Sequence, residues 1–259
     1  MNILFVGDIV GRAGRRVFAR FIDEIKYKYG LDLVIVNGEN SAGGFGINDK
    51  IYKELKSKGA DIITSGNHIW DKKEIIPDLN KYEYLIKPAN YPDETPGNGY
   101  ITVVVGSTEV TILNLIGRVF MPPVDCPFKK FDEIYKKVKD TVIIVDFHAE
   151  ATSEKSAFGL YVDGRAAVVV GTHTHVQTND DRILPQGTLY ITDVGMCGAL
   201  DSVIGMKKEA PLKRFLTGIP QKYDVENKGK LVFNALFFSI DEKTQKVDKF
   251  EKIFKVVEG

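Results

Sequence analysis

Five short apolar runs in this chain each stop at side chains that bind protons or metals, and few folds tolerate that pattern. Residues 2–6 stop at Gly7-Asp8, residues 31–36 at Asn37-Gly-Glu39-Asn40, and residues 61–64 at Ser65-Gly-Asn67-His68. Residues 141–147 stop at His148, and residues 166–170 at Gly171-Thr-His173-Thr-His175. A short apolar run bounded by turn residues reads as a buried strand. Folds of the α/β class place their ligands just beyond the carboxyl ends of such strands. The chain has four histidines, and all of them sit at these ends. Each signal alone has a plain alternative, since Gly-Asp is commonly a turn or a helix cap and a lone histidine a capping or core residue. Turn chemistry does not require histidine, so the recurrence points to one polar cluster.

The segments between the runs supply the frame. Val17, Phe18, Phe21, Ile22 and Ile25 repeat at helical spacing over residues 11–29, with Gly30 as the C-cap. Asn48 is placed to cap a second helix carrying Ile51, Tyr52 and Leu55, which Gly59 closes. Strand, helix, strand, helix, strand within 68 residues predicts right-handed βαβ units and a parallel core sheet. Residues 87–100 form a loop rich in Pro, Gly and Asn, residues 100–105 and 110–115 a β-hairpin, and residues 121–127 a second loop. Phe131, Ile134, Tyr135 and Val138 mark a further helix, and a short one starts near Lys155. Later strands are expected at 188–192, 231–240 and 247–257, the last two paired through Asp241-Glu-Lys-Thr244. Hairpins added to βαβ units predict an α/β fold of two packed, mixed β-sheets flanked by helices. No repeat or linker divides the chain, so residues 1–259 read as a single domain.

Composition narrows the function. Lys plus Arg and Asp plus Glu both number 35, so there is no overall pull toward nucleic acid or an anionic membrane. Cys126 and Cys197 form no CxxC pair, and two cysteines are too few for a thiolate zinc knuckle. No apolar run approaches the ~20 residues that span a bilayer. The N-terminus lacks a basic leader, and the expected location is cytoplasmic.

The donors at the strand ends define the chemistry. Asp8 and Glu39 give carboxylates, Asn40 and Asn67 amides, and the histidines imidazoles, with no thiolate. That mixed oxygen and nitrogen set suits Mn, Fe, Co or Zn rather than Mg or Ca alone. His173 and His175 are two apart, so extended backbone would point both rings to one side. The donors are too many for one catalytic ion with an open position and enough for two.

Gly7-Asp-Ile-Val-Gly11, Asn37-Gly-Glu-Asn-Ser41, Gly66-Asn-His-Ile-Trp70, Asp146-Phe-His-Ala-Glu-Ala151 and Gly171-Thr-His-Thr-His175 together resemble the calcineurin-like metallophosphoesterases. Within them the resemblance is nearest to the YmdB-like branch of bacterial phosphodiesterases, and it runs the length of the chain. It implies a four-layer αββα sandwich holding two divalent or mixed-valence metal ions, Fe or Mn foremost and Zn or Co as alternatives. It implies Asp8, Glu39, Asn40 and His175 around the first ion, Asn67, His148 and His173 around the second, and Glu39 as the bridge. Two departures from the general superfamily pattern stand out. Val10 occupies a position where a ligand histidine is expected, and the bridge is Glu39 rather than aspartate; Asn40 can replace the missing ligand.

The activity implied is hydrolysis of cyclic nucleotides, with 2′,3′-cyclic nucleotides as the leading class, by metal-activated water attacking phosphorus. His68, adjacent to Asn67 but not assigned to a metal, is the expected general acid; its plain alternative is a hydrogen bond that orients Asn67. A phosphomonoesterase or 5′-nucleotidase could use the same ions. A regulatory, RNA-associated protein with a non-catalytic metal site is the third reading. The expected partner is a small phosphodiester. No membrane partner is expected, net charge does not indicate nucleic acid, and self-association stays open. Gly43-Gly-Phe-Gly46 lacks the Lys-Ser/Thr of a P-loop. Arg12, Arg15, Arg16 and Arg118 are candidate phosphate contacts for which solvated surface is the plainer reading.

Overall fold

Residues alternate sides along a strand, and in this chain both sides are apolar, so each sheet must be covered twice. The computed structural model describes residues 1–259. Its elements in order are β1 (Asn2–Val6), β2 (Asp8–Ile9), α1 (Gly11–Tyr29), β3 (Leu33–Asn37), α2 (Asp49–Ser57), β4 (Ile62–Thr64), β5 (Tyr100–Val105), β6 (Thr108–Ile116), α3 (Pro127–Val138), β7 (Val142–His148), α4 (Thr152–Val162), β8 (Val168–Thr172), β9 (Arg182–Ile183), β10 (Leu189–Ile191), β11 (Met196–Ala199), α5 (Glu209–Thr217), β12 (Lys230–Ile240) and β13 (Val247–Glu258).

One sheet has seven strands in the order β2-β11-β12-β1-β3-β4, with β13 pairing β12. The other has six, in the order β5-β6-β7-β8-β10-β9. Both are mixed. β1, β3 and β4 run parallel, as do β6, β7, β8 and β10, while the hairpins β5–β6 and β12–β13 are antiparallel. Ile3, Phe5, Ile35 and Phe238 of the first sheet meet Ile112, Ile144, Val170 and Ile191 of the second in one buried cluster. Their strand neighbours face outward. Leu4, Val6, Val34 and Phe237 pack under Val17, Phe18 and Ile22 of α1 and Leu55 of α2. Phe147, Val145 and Tyr190 pack under Phe131 of α3 and Phe158 of α4. Helices, sheet, sheet, helices is the four-layer sandwich that the sequence implied. Each fully buried Ile or Phe in these clusters contributes ~1.5–3 kcal/mol.

The ends of the helices follow the sequence. Gly30 caps α1 in the left-handed region, and the Asn48 side chain accepts a hydrogen bond from Ile51 N at the start of α2. The hairpin between β5 and β6 is tighter than expected, because Thr108 and Glu109 pair with Val105 and Val104 and leave Gly106-Ser107 as the turn. The short helix α4 begins at Thr152 rather than near Lys155. The two-residue strands β2 and β9, the four-residue β11 and the helix α5 were not expected.

Candidate metal centre

The parallel strands of both sheets deliver their carboxyl ends to one place. Asp8 comes from β2, Glu39 and Asn40 follow β3, Asn67 and His68 follow β4, His148 ends β7, and His173 and His175 follow β8. Asp8, Glu39 and His148 are fully buried, and Asn40 and His175 nearly so. All seven expected ligands form one connected group. His148 Nε2 lies 3.0 Å from Glu39 Oε1, 3.0 Å from His173 Nδ1 and 3.2 Å from Asn67 Oδ1. Asn40 Nδ2 lies 3.1 Å from the same Glu39 Oε1 and 3.0 Å from His175 Nε2, which is 3.9 Å from Asp8 Oδ1. Glu39, His148 and His173 alone bring ligand atoms within 4.8 Å of one another.

His173 and His175 reach the cluster by a route the sequence did not foresee. Their backbones are not extended: φ is 100° at His173 and 68° at His175, in the left-handed region that non-glycine residues avoid. The loop must therefore be held from outside. Lys155 and Asp193, both buried, do this. Lys155 Nζ donates to Thr172 O at 2.7 Å and to Asp193 Oδ2 at 2.8 Å, and Asp193 Oδ2 also accepts from Thr174 N at 2.9 Å.

Each imidazole is oriented by a partner on its second nitrogen, as ligating histidines require. His148 Nδ1 contacts Thr172 Oγ1 at 2.9 Å, and that hydroxyl donates to Asp146 Oδ1 at 2.7 Å. His173 Nε2 faces Glu150 at 3.1 Å, and His175 Nδ1 faces Ile204 O at 2.9 Å. His68 contacts Asp71 Oδ2 through Nδ1 at 2.9 Å, and its backbone N–H donates to Glu39 Oε2 at 3.2 Å. Its ring therefore orients on Asp71 rather than on Asn67. Asp71, Glu150, Lys155, Thr172 and Asp193 were missed as site residues. The only local signals were spacing, Asp71 three after His68 and Glu150 two after His148.

The electrostatics suit a cation. Burial raises Asp8 well above the usual carboxylate range, against the charge of His148. Glu39 is also buried, yet the charge and hydrogen bond of His148 pull it down to about 2. Burial would lower His148, but Glu39, Asp8 and Asp146 outweigh it and lift it to about 9. Burial, aided by the charge of His148, pushes His173 down to about 3, and burial also lowers His175. Asp8 Oδ1 is buried without a hydrogen-bond partner, an expensive state unless a cation faces it. Gly66 leaves room for the group, since a Cβ there would come within 2.2 Å of Glu39 Oε2 and 2.4 Å of His148 Nε2. The residues fit bound metal.

Val10 explains its own departure. It is fully buried and packs with Met196, Met206, Val225 and Val232, so apolar contacts replace an imidazole at that position. Arg15 is neither a phosphate contact nor free at the surface, because it donates to Glu54 at 3.0 Å and to Ser41 O at 2.6 Å. Beside the cluster opens a cleft of about 330 Å³. Asn40, His68, His173 and His175 line it together with Phe45, Met206, Phe215 and Tyr223. No helix is long and apolar enough to cross a membrane.

Residues 4–253 match the family model described as YmdB-like protein. The chain is 49% identical over 255 residues to the 2′,3′-cyclic-nucleotide 2′-phosphodiesterase of Bacillus subtilis, covering 98% of this chain and 96% of that one. A crystal structure of a hypothetical protein from Thermus thermophilus superposes with a TM-score of 0.93 at 41% identity, covering 99% of each chain. The structure of a phosphatase from Mycoplasma pneumoniae gives 0.94 at 40% identity, covering 99% of this chain and 93% of that one. With the strand-end cluster in place and the match running through both sheets, the chain belongs to the YmdB-like family.

Proposed function

We propose that this chain is a dinuclear metal-dependent phosphodiesterase that opens 2′,3′-cyclic nucleotides. The observation that carries the two-ion reading is the place of Glu39. Its Oε1 lies 3.1 Å from Asn40 Nδ2 and 3.0 Å from His148 Nε2, so one carboxylate touches both halves of the donor set. In this reading Asp8, Asn40 and His175 would hold one ion, Asn67, His148 and His173 would hold the other, and Glu39 would serve both. The donor chemistry favours Fe or Mn, with Zn or Co as alternatives. Such ions polarise a phosphoryl group and acidify water.

The remaining work falls to the chain. Asn40, Asn67 and the three inner histidines fix the donor geometry, and Asp146, Glu150 and Ile204 O hold the rings in register through the contacts above. Water adds to phosphorus, the bond to the ribose 2′-oxygen breaks, and His68 supplies the proton that oxygen needs. Asp71 keeps the His68 ring turned to the cleft that it lines. The 49% identity to the Bacillus subtilis enzyme supports the choice of substrate.

The test compares kcat/KM for 2′,3′-cyclic AMP, bis-p-nitrophenyl phosphate, p-nitrophenyl phosphate and AMP with Mn²⁺ supplied. The diesters should lead. Preference for the two monoesters would establish a phosphomonoesterase instead, and no turnover with metal bound would favour a regulatory role.

A further inference from the structure

The cleft beside the metal centre is lined by polar and apolar side chains, and the reaction uses only the polar ones. Phe45, Met206, Phe215 and Tyr223 supply its apolar wall, beside His68 and His175. This wall is carried by the loop that holds Phe45 and by two features of the 196–226 segment. Val10, Met206 and Val225 form a small buried cluster with Phe45 and Tyr223 against it, so the wall is anchored where the superfamily pattern expects a histidine. The helix α5 then projects Phe215 over the cleft. Pro211 is its only buried residue, and Phe215 is 78% exposed. Phe215 therefore lines the cleft with its ring open to a ligand.

Tyr223 is held in place rather than free. Arg214 donates to its hydroxyl at 3.2 Å and lies 5.8 Å from the ring centroid. Phe45 stands edge-on to the His68 ring, with centroids 5.0 Å apart. One aromatic ring of the cleft thus stands directly beside the proposed acid. A cyclic nucleotide has the matching polarity, with an anionic phosphate at one end and a flat base at the other.

We propose that Phe215, with Tyr223 and Phe45, forms the subsite that takes the nucleobase of the substrate by stacking. This deepens the phosphodiesterase reading and rests on it. The wall presents aromatic faces, and the Tyr223 hydroxyl is already engaged by Arg214. Stacking tolerates every base because every base has a π-face. Purine and pyrimidine cyclic nucleotides are therefore accepted alike, and a substrate without a base is the poor one.

The experiment measures kcat/KM for 2′,3′-cyclic AMP, 2′,3′-cyclic CMP and ribose 2,3-cyclic phosphate in the wild type, Phe215→Ala and Phe215→Trp. Binding of adenosine 3′-phosphate is titrated in parallel against ribose 3-phosphate. Phe215→Ala should lower the preference for nucleotide over base-free substrate by about tenfold, mainly through KM, and Phe215→Trp should restore it. Equal losses on all substrates would make α5 a structural support, and an unaltered preference would remove the wall from recognition; either overturns the subsite. If the wild type opens no cyclic phosphate, the substrate assignment fails by itself. The titration then judges the subsite separately: a tenfold preference for the nucleoside phosphate that Phe215→Ala abolishes upholds it, and equal affinities overturn it.

Discussion

Two segments line the cleft, the polar loop 171–175 and the largely apolar helix α5. The loop bends through two left-handed histidines and is fastened by a buried ion pair, two hydrogen bonds to its backbone, and the Asp146–Thr172–His148 chain beside it. The helix is seated by Pro211 alone, while Leu212, Phe215 and Leu216 face solvent. One side therefore resists displacement and the other can adjust. Donor positions must hold to a fraction of an ångström for catalysis, whereas an aromatic face needs only to lie near a flat ligand. The strained loop is the part that the rest of the fold must over-determine.

The largest expected effect lies on the polar side. His68→Ala should keep both metals and the fold while kcat falls ~10²–10⁴-fold, read by turnover alongside elemental analysis. Loss of one ion would make His68 a ligand, and unchanged turnover would make it a bystander. Next comes the support of the loop. Lys155→Met leaves Asp193 buried without its cation and should cost ~3–5 kcal/mol, lowering Tm by roughly 10 °C in a thermal melt. On α5, Leu216→Ser removes a residue that is 84% exposed and should change stability by less than ~0.5 kcal/mol. Comparable losses from the two variants would erase the contrast between the walls.

The acid–base balance of the donor set gives a subtler test. His148 is lifted from 6.5 to about 9, so below about pH 9 the metal-free site holds a proton that an incoming ion must displace. Apparent metal affinity should therefore climb with pH up to about 9, and calorimetry at pH 7.5 in buffers of different ionisation enthalpy should register proton release. The sign for stability is opposite. A histidine raised in the folded state stabilises the metal-free protein fully below about pH 6.5, and that contribution is lost as pH rises through about 9.

The sequence made the inner frame visible because each early strand is an apolar run ended by a polar signature, and α1 and α2 carry an apolar face between explicit caps. β2, β9 and β11 escaped because two to four residues are too few for a period. α5 escaped for a different reason: Leu212, Phe215 and Leu216 cover no core, so its apolar residues mark no buried stripe. The seven ligand candidates were legible because their residue types are unusual after a strand. Asp193 and Lys155 were not, since an aspartate before Val-Gly reads as a turn and a helical lysine as surface. Only tertiary packing makes them a buried pair. The spacing of His173 and His175 pointed to one shared cluster, but the turn that takes them there depends on those distant supports.

Glu39 is the one side chain proposed to serve both halves of the donor set. Metal content per chain, measured by elemental analysis on wild type, Glu39→Ala, Asp8→Ala and Asn67→Ala prepared alike, tests that most directly. Two ions should bind to the wild type, and Glu39→Ala should lose more metal than either of the other variants. Retention of two ions per chain in Glu39→Ala would contradict the bridge.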